Sequence, residues 1–108
     1  MDHLVIYHTL DGSAPRFDDI PARVLRLSET LADSESWTRA HIWRNEFDGV
    51  VTWDANFTIG QCGVGGFTYD AEGRTIGAYV VNGVYTTLVT EKYARATIRA
   101  HSRNVLAH

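Results

Sequence analysis

Three turn signals crowded into the second half of the chain constrain it more than any other feature. Phe47-Asp48-Gly49-Val50 and Val81-Asn82-Gly83-Val84 each set an Asp-Gly or Asn-Gly pair between apolar residues. That composition fits a two-residue type I′ turn joining antiparallel strands. In Tyr69-Asp70-Ala71-Glu72-Gly73-Arg74, Gly73 can take the left-handed conformation that closes a four-residue loop. Hairpins so placed leave the intervening β-branched and aromatic runs to form an antiparallel meander. The first hairpin is predicted over 39–47 and 50–59, although Trp37, Ala40 and Arg44 are also spaced to suit a helix.

Ahead of the meander, Leu4-Val5-Ile6-Tyr7 reads as a short strand, followed by a loop at Asp11-Gly12-Ser13-Ala14-Pro15. Asp18 or Asp19 is then placed to cap a helix, with Pro21 in its first turn. Val24, Leu27, Ser28 and Leu31 recur at helical spacing, predicting about four turns that end near Ser34. After the meander, Thr90 is placed to cap a second helix whose apolar row is Ala94, Ile98, His101 and Val105. The predicted order is β-α-β-β-β-β-β-α. This is an α+β fold, a meander of five to six strands with both helices on one face. Residues 1–108 form a single domain, long enough to bury roughly two-thirds of the unfolded surface without metal or disulfide staples.

The 44% hydrophobic and 21% charged composition excludes intrinsic disorder. Cys62 is the sole cysteine, so no intramolecular disulfide is possible, and no Cys/His set has structural-zinc spacing. No apolar run approaches the ~20 residues of a membrane helix. The start lacks a basic segment followed by a long apolar one, so a cytoplasmic protein with no membrane partner is expected. Thirteen acids against ten bases argue against a general nucleic-acid binder. The charges are divided, however. All thirteen acids and six arginines lie in residues 1–91, whereas 92–108 hold Lys92, Arg95, Arg99 and Arg103 with no acid. These four cations line one stripe of the second helix. Read plainly they are a solvated face suited to the helix dipole; read functionally they contact nucleic-acid phosphates or an acidic surface.

Turn position sets strand register, and register assigns faces. Around Asp48-Gly49, Phe47 should pair with Val50, Asn45 with Thr52, Trp43 with Asp54 and His41 with Asn56. Ala40, Ile42, Val51, Trp53, Ala55 and Phe57 occupy the more apolar, core-facing side. Around Asn82-Gly83, one face carries Ile76, Ala78, Val80, Tyr85, Thr87 and Val89, and the other Tyr79, Val81, Val84, Thr86 and Leu88. Two short helices cover one side of a sheet. Trp43, Phe47, Tyr79, Val81 and Val84 are therefore expected on the uncovered side, as a partner-binding surface anchored by aromatic rings. The alternative is a sheet that curls and buries these rings on itself.

Chemistry is harder to find. The Gly60-Gln61-Cys62-Gly63-Val64-Gly65-Gly66 run misses both phosphate-loop spacings, and strand rather than helix follows it. A Cys62 nucleophile needs an adjacent histidine, and His41 is the nearest candidate, with Tyr79 as a further lining residue. His3, His8 and His108 form no metal-ligand pair, and no cofactor is implied. Asp18/Asp19 and Glu46/Asp48 are explained by capping and turns. The leading expectation is a small non-enzymatic module acting through protein–protein contacts. It would be an inhibitor or accessory factor of the kind phages and mobile elements encode, binding a partner protein or itself as a homodimer. A Cys62-centred enzyme or ligand binder is the first alternative, and nucleic-acid contact through the basic helix the second.

Overall fold

The computed structural model describes residues 4–10, 12–13, 16–33 and 35–107, the side chains of 103–107 excepted. Asp11, Ala14, Pro15 and Ser34 of the expected loop and helix end, and the side chains of Arg103 and Val105, lie outside the described residues. Six strands form one sheet in chain order: β1 (Val5–His8), β2 (Thr38–Phe47), β3 (Val50–Ile59), β4 (Cys62–Tyr69), β5 (Thr75–Asn82) and β6 (Tyr85–Leu88). Helix α1 (Ala22–Leu31) joins β1 to β2, and α2 (Glu91–Ala107) follows β6. The α+β architecture is the expected one. From β2 onward the sheet is an antiparallel meander, but β1 pairs parallel to β2. The chain crosses the sheet through α1 before returning in the same direction, and parallel neighbours need such a crossover.

Asp48 and Gly49 take φ values of 51° and 78°, the left-handed pair of a type I′ turn. The ladder they start pairs Phe47 with Val50, Trp43 with Asp54 and His41 with Asn56, as their sequence positions require. At the last hairpin the turn is Gly83-Val84 instead, with Asn82 opposite Tyr85. Gly83 alone has positive φ there, at 65°, which suits glycine at the first central position of a type II′ turn. The pairing therefore moves by two residues, keeps every strand side chain on its expected face, and lifts Val84 out of the ladder. Gly60-Gln61 makes a further turn, between Ile59 and Cys62, so the glycine-rich run is a turn and the start of a strand.

Neither Asp18 nor Asp19 caps α1. Both lie in a separate 3-10 turn (Phe17–Asp19), and extended Ile20 follows, buried at 5% exposure. Seating Ile20 in the core breaks the helical path, so α1 starts afresh after Pro21, which is its N-cap without a side-chain bond. Helix α1 is ten residues long, shorter than expected. Thr90 does cap α2, its Oγ1 accepting the Tyr93 N–H at 3.1 Å.

One core cluster joins Val24 and Leu31 of α1, Ala94 and Ile98 of α2, and the sheet residues Ala40, Ile42, Trp53, Ala55, Phe57, Phe67, Tyr69, Ala78 and Val80. Both helices thus cover the same face. The buried row of α2 continues to Ser102, while His101 is exposed and its Nδ1 lies 2.9 Å from the Thr97 carbonyl oxygen. A four-residue step from Ile98 keeps to the sheet and a three-residue step leaves it. Ser102 is satisfied by a buried hydroxyl chain: Ser36 to Thr38 at 2.9 Å, Thr38 to Ser102 at 2.7 Å, Ser102 to the Ile98 carbonyl at 3.1 Å.

Two glycines of β4, Gly65 and Gly66, are packing residues, whereas a Cβ on Gly63 would meet nothing within 4 Å. A Cβ on Gly65 would lie 2.7 Å from the Tyr79 carbonyl oxygen, whereas a Cβ on Gly77 would meet nothing nearer than 3.9 Å. Gly65→Ala is expected to cost about 1–3 kcal/mol by overpacking, and Gly77→Ala to fall within about 0.5 kcal/mol of neutral. Urea unfolding of the two variants checks the contrast.

Candidate functional site

The sheet face turned from the helices is assembled row by row from the ladder. One row runs His8, Trp43, Asp54, Thr68, Gly77; the next runs Ile6, His41, Asn56, Gly66, Tyr79, Leu88. His8 stacks on Trp43 with ring centroids 4.2 Å apart and planes 8° from parallel. His8 Nε2 lies 2.9 Å from His41 Nδ1, and His41 Nε2 lies 3.1 Å from Thr58 Oγ1. Asp54 accepts from Asn45 Nδ2 at 2.6 Å and from Thr68 Oγ1 at 2.9 Å, one donor on each carboxylate oxygen. The Tyr79 hydroxyl donates to Asn56 Oδ1. Glycine at position 66 makes that reach possible, because a Cβ there would strike the Tyr79 ring and hydroxyl.

These contacts set the titration behaviour of the face. Burial, then the neighbouring His8 and Arg39, lower the His41 pKa below its ordinary value. Burial and then the Asp54 charge raise that of the Tyr79 phenol, holding it as a neutral donor. The centre of the face is thus a set of mutually satisfied polar groups with no open acid–base pair.

Trp43 and Tyr79 are partly buried within this set, and Val81 is partly buried beside it. Phe47 is 80% exposed at the β2–β3 tip, and Val84 is 92% exposed in the β5–β6 turn, at the other end of the sheet. The five residues do not form one contiguous apolar surface. Cys62 is exposed at the start of β4, in the row of Ile59 and Thr38. His41 lies three residues further along β2 from that row, with both ring nitrogens taken up by His8 and Thr58. The fold does not join Cys62 and His41 in a hydrogen-bonded pair. Among the described residues no cluster of metal-ligating side chains occurs, and no helix is long and apolar enough to cross a membrane. On α2, Lys92 and Arg99 are exposed, and Arg95 Nη2 bonds Glu91 Oε1 at 2.8 Å.

The feature missed from sequence is the far edge of the sheet. Every residue of β6 is exposed, Tyr85 at 74% and Leu88 at 83%, and among the described residues no strand lies beyond it. A signal was present, because the sixteen residues Thr75–Thr90 contain no charged side chain. Comparison with protein-family models, curated proteins and solved structures finds no match.

The lowered His41 pKa predicts a pH dependence of stability. Below about pH 6.5 the unfolded chain takes up a proton at this position more readily than the folded one, so stability falls with pH through that range. Between about pH 7.5 and about pH 5.5 the wild-type Tm should drop, and His41→Gln should drop less.

Proposed function

We propose that this chain is a non-catalytic protein-binding module that docks by adding a strand at β6, and that its simplest occupant is β6 of a second copy. The exposed, uncharged β6 edge carries this reading. The Val89 N–H bonds the Ala78 carbonyl at 3.0 Å. Antiparallel alternation then turns the Thr87 amide toward β5 as well, and the Thr86 and Leu88 amides outward. Free edges are templates for pairing, and the devices that blunt them include lysine, proline and a bulge. None of these interrupts β6, and the β5–β6 ladder has no register shift.

Self-pairing suits this edge. A two-fold axis normal to the sheet at Thr87 sets Thr86 of one copy opposite Leu88 of the other, on the same face and without like charges to repel. The exposed Val84 and Tyr85 extend the contact beyond the ladder. Main-chain pairing supplies affinity and the flanking side chains selectivity, the mode used in strand addition. An accessory or inhibitory role, exerted by occluding a partner, is consistent with a module of this kind.

Two measurements test it. At about 100 μM, sedimentation should give twice the 12.1 kDa chain mass. Hydrogen exchange should find the Thr86 and Leu88 amides protected along with those of Thr87 and Val89. Thr86→Pro removes an outward donor without touching the β5 ladder, so it should restore the monomer with an unchanged fold. A wild-type monomer at that concentration, with fast exchange at Thr86 and Leu88, overturns the proposal.

A further inference from the structure

The groove between α1 and α2 gathers four arginines around one carboxylate. Arg23 and Arg26 project from α1 and Arg95 and Arg99 from α2, around a cleft of about 240 Å³ that Leu27 and Glu91 also line. The two helices supply them at matched spacing: 23 and 26 are one turn apart on α1, and 91, 95 and 99 are successive turns on α2. Glu91 Oε1 is shared, lying 2.8 Å from Arg95 Nη2 and 3.9 Å from Arg23 Nη2. Among the described residues, Arg26 and Arg99 have no carboxylate partner. The cleft therefore carries a surplus of three positive charges in a chain whose net charge is −3.

A merely solvated helix surface intersperses acids at i+3 and i+4, which relieves repulsion between cations. Here Glu29 follows Arg26 by three residues and Glu91 precedes Arg95 by four, but of the two only Glu91 lines the cleft, where four cations converge from two elements. Guanidinium forks match phosphate oxygens two at a time, and so small a volume with such a surplus needs a compact anion of more than one charge. We infer that the α1–α2 cleft is a binding site for a phosphate-bearing ligand, held by Arg26 and Arg99 with Arg23 and Arg95 steadied by Glu91. This site is separate from the β6 edge and does not depend on it.

The probes are inorganic pyrophosphate, a short DNA duplex and a hexaglutamate peptide, titrated into the full chain at about 50 mM salt. The double variant Arg26→Ala/Arg99→Ala serves as the comparison, since both side chains are exposed and their loss leaves the core intact. Wild type should bind pyrophosphate or duplex, more weakly as salt rises, and the variant should lose about tenfold or more. Pyrophosphate binding without duplex binding identifies a free phosphate compound as the source. Tighter duplex binding with a steep salt slope identifies a nucleic-acid backbone. Failure of wild type to bind either phosphate probe, equal binding by the variant, or binding of hexaglutamate as tight as that of pyrophosphate overturns the assignment.

Discussion

The left-handed pair Asp48-Gly49 fixes which residue of β2 faces which of β3, and the rest of the molecule is arranged around that choice. Strand side chains alternate, so a ladder begun one residue off would turn every side chain of β3 to the opposite face relative to β2. Trp53, Ala55 and Phe57 would then face water, losing about 1.5–3 kcal/mol for each large side chain. Asp54 and Asn56 would go under the helices, where polar groups without partners are costly to bury. Turn geometry and the hydrophobic pattern therefore select the same register, and α1 and α2 add their apolar rows to a face already decided.

The uncovered face solves a different problem. It has no helix over it, yet its large side chains are not left free. Trp43 is covered by the His8 ring, and the Tyr79 ring lies across the space that glycine leaves at position 66. Asp54 receives donors from both neighbouring strands, which ties β2 and β4 to β3 through side chains as well as through the ladder. These ties run out toward β6, where Thr86 and Leu88 have no strand on their outer side among the described residues. The contrast between a satisfied centre and an unsatisfied margin singles out the edge as the element left available.

Much of this was legible in the sequence, for reasons that can be named. The Asp-Gly turn, the Thr90 cap and the alternation of β3 depend on neighbours one to four residues away, so local chemistry decides them. What escaped depends on distant partners. The packing role of Gly65 and Gly66 went unread because nothing local shows Tyr79 and Ile98 pressing on them. Ile20 draws the chain inward and so displaces the start of α1, an effect of the core rather than of the capping residues beside it. His101 and Ser102 exchange places because a helix row drifts, and the sheet beneath decides which step it follows. For the site, the expected aromatic surface rested on correct faces. Its residues proved to be spread between a bonded centre and two opposite tips, a matter of position along the strands rather than of alternation.

The hydroxyl chain beneath α2 has a directional consequence. Each hydroxyl has one proton to give, and that of Ser102 goes to the Ile98 carbonyl. Thr38 must then donate to Ser102, and Ser36 to Thr38, so the three protons point one way along the chain. Sliding the helix by one turn would set an aliphatic group against Thr38 and strand its proton. The trio thus works as a detent, giving a long terminal helix on a largely greasy surface a single resting place along its own axis.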